Sequence, residues 1–104
     1  MSDIEEQEKQ TKQKQKEANE NFIKLADIFI AQANAECENA DHQLVNASLL
    51  YASARFSSFI TASMSETKES FEENVDGAIE FYTEEFNKML KEHMKQYGSA
   101  FDKK

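Results

Sequence analysis

A chain of 104 residues holds one domain around one modest core, and its net charge of −8 has the wrong sign for a phosphate backbone or an anionic lipid surface. It has no Pro and only two isolated glycines, Gly77 and Gly98, so Gly-rich phosphate loops are ruled out and an all-α fold is favoured. Cys37 is the only cysteine, which excludes an internal disulfide and a CxxC metal site and suits a reducing, cytoplasmic setting.

Residues 1–16 are built from Glu, Gln and Lys with almost no apolar side chains, and include the run Lys12-Gln13-Lys14-Gln15-Lys16. Such a segment cannot bury enough surface to offset its ordering entropy, so a frayed or disordered tail is expected. Its charged start is no signal peptide. The bundle domain is expected over 17–98, and a short C-terminal tail over 99–104.

From Glu17 to Glu38, apolar residues recur at Phe22, Ala26, Phe29, Ala33 and Cys37, with Leu25 and Ile30 widening the stripe. That is the 3.6-residue period of an amphipathic first helix. It should stop within Asn39-Ala40-Asp41-His42, where Asp41 is placed to cap the next helix.

The twenty-three residues between His42 and Glu66 carry one charged side chain, Arg55, in a chain that is 31% charged. A stretch that avoids charge on every side must be covered on most sides, so it reads as the central helix of a bundle or a helix shared between subunits. One face carries Val45, Leu49, Ala52, Phe56, Phe59 and Ile60. The other is small and uncharged, with Ala47, Leu50, Ala54, Ser57, Ser58 and Thr61, and suits close approach by a further helix. Asn46, Arg55 and five serines between Leu44 and Met64 rule out a membrane span.

A third helix starts between Ser65 and Ser70, where Ser63/Glu66 and Ser70/Glu73 both have capping-box spacing. Val75, Ile79, Tyr82, Phe86, Met89 and His93 alternate steps of four and three, a heptad seam, and Gly98 is its expected stop. Acids crowd its beginning and lysines its later part, as the helix macrodipole favours.

Short connections make these three helices an antiparallel three-helix bundle. Three helices leave a side of the uncharged second helix open, so the bundle is expected to be completed by dimerisation, through that helix and Phe81, Leu90 and Met94 beside the third helix's seam.

The residues Phe22-x-x-x-Ala26-Asp27-x-Phe29-Ile30-x-x-Ala33-Asn34-x-x-Cys37, followed by Ser48-Leu49-Leu50-Tyr51-Ala52-x-Ala54-Arg55-Phe56, resemble the core pattern of a family of short, acidic bacterial proteins known only as a domain of unknown function. The resemblance covers about Phe22 to Phe101. It implies a helical, cytoplasmic protein and transfers no activity, substrate or catalytic residue. A likeness to secreted acidic helical hairpins with Trp-x-Gly at the turn fails for want of Trp.

Arg55 stands one turn beyond Tyr51, where a guanidinium could stack on the ring and grip a carboxylate or phosphate. This is the candidate anion site. The competing account is an internal salt bridge, with Asp27, Glu36 or Glu80 as the partner. The Glu-x-x-His pairs of a dinuclear metal bundle are absent, since Asn39 and Leu90 stand three before His42 and His93, and Glu38 with His42 lacks co-ligands. Cys37 lies on an apolar stripe with nothing near in sequence to activate it. No catalytic residue and no cofactor is expected. The sequence therefore reads as a helical interaction or structural module: a homodimer or higher homo-oligomer with room for a further, unidentified protein partner, and without nucleic acid or membrane. The alternative is a small anion held between helices at Arg55 and Tyr51.

Overall fold

The structure, a computed structural model, describes residues 2–102. Met1 and the last two residues of the expected C-terminal tail, 103–104, lie outside the described residues. Three helices follow one another, α1 (Ser2–Glu36), α2 (His42–Ser63) and α3 (Lys68–Phe101). There is no strand among the described residues. The chain is all-α, and three helices on short connections are consistent with a helical bundle.

α1 is already helical at Ser2, so the Lys/Gln segment continues the amphipathic helix rather than standing apart from it. Its support is local. The Thr11 hydroxyl donates to the Gln7 carbonyl at 2.9 Å, and the Gln13 amide donates to the Glu17 carboxylate at 3.2 Å. Pairs one turn apart on a helix surface contribute a few tenths of a kcal/mol each.

α1 ends at Glu36, before the expected stop in Asn39–His42. The N–H of Glu38 donates to Ala35 and that of Asn39 to Glu36, so the chain tightens into i→i+3 turns once the helix ends. Asp41 then caps α2 as expected, its carboxylate accepting from the Gln43 N–H at 3.2 Å.

Thr67 caps α3, which corrects both capping boxes read from the sequence. Its hydroxyl accepts from the Ser70 N–H at 3.0 Å, while its own N–H donates to Ser70 Oγ at 3.1 Å. Ser70 thus supplies the reciprocal acceptor that Glu or Gln usually provides, and occupies the third helical position instead of the cap. Gly98 does not stop α3. The helix runs through it to Phe101, and no glycine has a positive φ. A left-handed residue is what makes a glycine terminate a helix, and here none is formed.

The chain divides into two compact units, Met1–Ala52 and Ser53–Lys104, with the boundary inside α2. In the first, Ala26, Ala33, Cys37, Ala40 and Val45 are half-buried, which places the partial cover at the α1–α2 turn and on the small residues of the α1 stripe. In the second, Ser57, Ile60, Thr61, Ser65, Phe71, Val75 and Ala78 are half-buried around the α2–α3 turn. No described residue is fully buried. In the single chain α2 is thus open to water along most of its length, where a helix covered on most sides, by its own bundle or by another subunit, was expected. Phe71 alone among the phenylalanines is half-buried. The physical reason lies in size: the residues that meet at the turns are mostly Ala, Ser, Thr and Val, while the large side chains point away from them.

Candidate interaction surface

The surface is built from α-helical faces whose large side chains meet water. On α1, the stretch Phe22–Ile30 has seven apolar residues in nine, and Phe22 and Phe29 of the predicted stripe are 62% and 60% exposed. Ile23 and Ile28, which the 3.6-residue stripe leaves out, are exposed as well. The signal for them was apolar density rather than periodicity: so many large residues in nine positions cannot all lie on one stripe.

On α2, the Phe56 and Phe59 rings lie 6.1 Å apart, tilted at 31°. Three hydroxyls of the same helix bond backwards to their own backbone: Ser58 to Ala54 at 2.8 Å, Thr61 to Ser57 at 3.0 Å and Ser63 to Ile60 at 2.9 Å. Ser65, just past the helix, does the same to Thr61 at 2.9 Å. The hydroxyl protons of Ser58 and Thr61 on the small face are therefore satisfied without water. Covering those two hydroxyls strands neither donor, which lowers the cost of burying them.

On α3, Phe81 and Tyr82 meet edge to face at 5.4 Å and 73°. The seam read from the sequence divides: Val75 is half-buried, while Ile79, Phe86 and Met89 are exposed, Ile79 by 60%. Leu90, Met94 and Tyr97 extend the open face towards the end of the helix. Charge is segregated along this helix. Lys68 to Glu85 carries seven acids and one lysine, and Phe86 to Phe101 three lysines and one acid. Its two ion pairs, Lys68–Glu72 at 3.9 Å and Lys88–Glu85 at 3.5 Å, join exposed neighbours and contribute little.

Tyr51 and Arg55 stand one turn apart on α2, with the boundary between the two units falling between them. Tyr51 is 69% exposed. Arg55 is exposed and, among the described residues, forms no ion pair with a carboxylate of its own unit, Glu80 included. Asp27 and Glu36, the other bridge candidates, belong to the first unit; Glu36 accepts a hydrogen bond from the Gln32 amide at 2.8 Å. Among the described residues, no group of three or more His, Cys, Asp or Glu side chains is arranged to hold a metal ion. Cys37 is a half-buried free thiol. A shallow, open groove on α1, lined by Ile4, Gln7, Glu8, Thr11 and Lys12, lies on a single helix and encloses no ligand. No described helix is long and apolar enough to cross a membrane.

The exposed large side chains are aromatic or aliphatic, three hydroxyls of α2 are bonded to their own helix, and acids and bases are sorted along α3. A family model described as "Protein of unknown function (DUF3144)" matches residues 22–97, which spans the apolar part of α1, all of α2 and most of α3. No curated protein and no solved structure matches the chain.

Proposed function

Since the chain belongs to this family of proteins of unknown function, whose matched region coincides with the apolar helix faces, we propose that it is a structural or protein-interaction module that works as a homo-oligomer in the cytoplasm. One observation carries the reading. Twenty-three large apolar side chains are exposed in a chain that has no fully buried described residue. Scattered exposed apolar residues are ordinary on a monomer, but contiguous faces along three helices mark an association surface. Each fully covered Leu, Ile or Phe contributes about 1.5–3 kcal/mol. The free energy that a compact monomer gains from its core is here left to be gained from a partner.

The role is one of binding or scaffolding, without catalysis. The lone thiol and the acidic composition suit a reducing compartment, where Cys37 stays unpaired. Multi-angle light scattering at micromolar concentration tests the proposal: the mass should be at least twice the 12.0 kDa of one chain. A 12.0 kDa species with a sharp, cooperative unfolding transition would rule it out.

A further inference from the structure

We propose that the second copy docks along α3, antiparallel, about a two-fold axis near Phe86. This rests on the homo-oligomer reading above and specifies its interface.

The first step is a matter of length. At 1.5 Å per residue, the 22 residues of α2 span about 33 Å and the 34 residues of α3 about 51 Å. A bundle of antiparallel helices closed by short turns within one chain can be no taller than α2, because α1 and α3 both connect to its ends. Such a bundle flanks α3 only as far as Met89. In such a bundle the last twelve residues of α3, from Leu90 to Phe101, run past the length of α2. Yet this overhang is not polar, as a solvated extension would be: Leu90, Met94 and Tyr97 lie along it, Tyr97 73% exposed. Something from outside the chain must cover them.

The second step is area. The chain exposes 9759 Å². A folded monomer of 12.0 kDa presents about 6,000 Å². Part of the surplus belongs to the polar start of α1, and the rest is still well above the ~800 Å² that each partner contributes to a standard interface. A second copy brings the same surplus and the same need.

The third step fixes direction. A parallel α3 pair would set the acidic half, Lys68 to Glu85, beside its own copy, and like charges in contact cost several kcal/mol. Running antiparallel, each acidic half faces the lysine-bearing half of the other, and the helix dipoles oppose favourably. The apolar part of α3, Val75 to Tyr97, is centred on Phe86. With Phe86 at the axis, Tyr82 lies level with Leu90 of the second copy, Ile79 with His93 and Val75 with Tyr97. Lys88 then comes level with Glu84 of the second copy, and Lys95 falls between Asp76 and Glu80. An isologous contact of this kind closes on itself and gives a dimer.

Spin-label distances in the full chain test this. On a Cys37→Ser background, a nitroxide is attached at Asn87→Cys or at Gly98→Cys; both positions lie off the seam, and a side chain at Gly98 meets nothing within 4 Å. In the antiparallel pair the two labels are offset along the axis by about 3 Å at position 87 and about 36 Å at position 98. The measured distance should therefore be some 20 Å or more longer at 98. Equal, short distances at both sites mean a parallel pair and overturn the proposal. A dimer by sedimentation without a short distance at 87 overturns it too, and leaves the homo-oligomer reading standing. A monomer by sedimentation, including one whose α3 takes up a different protein, overturns both.

Discussion

At Gly77 the backbone is helical, nothing lies within 4 Å of where a Cβ would stand, and φ is not positive. A glycine in a helix interior costs about 1 kcal/mol relative to Ala. No turn or close approach within the chain offsets that cost. Gly77 also lies away from the proposed α3 seam, so Gly77→Ala should stabilise the protein by about 0.5–1 kcal/mol in urea titration. A loss instead would mean that a partner's backbone approaches α3 at Gly77, on the face opposite to the one proposed. At the same scale, some residues were legible from sequence and others were not. Asp41 was legible because an Asp before an apolar helical run has one common use. Thr67 was not, because Ser70 plays the part normally read from Glu or Gln, and a Thr-x-x-Ser pair is too common to single out.

Among the elements, α1 separates into a part with an apolar face, from Phe22 onward, and an N-terminal part without one. The family model begins at the same point, residue 22. From Asp3 to Leu25 no residue is even half-buried. The hydrogen bonds of Thr11 and Gln13 hold helical geometry there but bury nothing. Residues 2–21 can thus be removed at little cost to the fold. The shortened chain should keep the same number of copies per particle and a melting midpoint within a few degrees, while far-ultraviolet circular dichroism falls by the helical signal of the missing segment. Loss of assembly on truncation would show that this segment reaches a partner. The three elements themselves were readable because Pro is missing, Gly is rare and the 3.6-residue period is strong. Their ends were less so: both Glu36 and Phe101 differ from the expected stops, as helix termini depend on a few local hydrogen bonds that several nearby residues could make.

For the whole molecule, the balance is between conformational entropy and burial. Ordering a residue costs about 1–2 kcal/mol, and a chain with no fully buried residue among those described has little to set against it. Folding should accordingly be coupled to association, as in obligate homodimers that lack a stable folded monomer. The melting midpoint is expected to rise by several degrees between about 1 and 100 μM chain, as mass action requires when unfolding releases two chains. A midpoint independent of concentration would show that one chain closes its own core. The sequence by itself determined that the protein is helical, where its helices lie to within a few residues, and that its large apolar side chains exceed what solvated helices need, because periodicity, capping chemistry and composition are local properties. Only the tertiary structure decided that the partial cover falls mostly on small residues near the turns, that the Ser58, Thr61 and Ser63 hydroxyls bond to their own helix, and that α3 runs through Gly98 to Phe101. These depend on helix lengths and on which faces meet, and no residue announces either one alone.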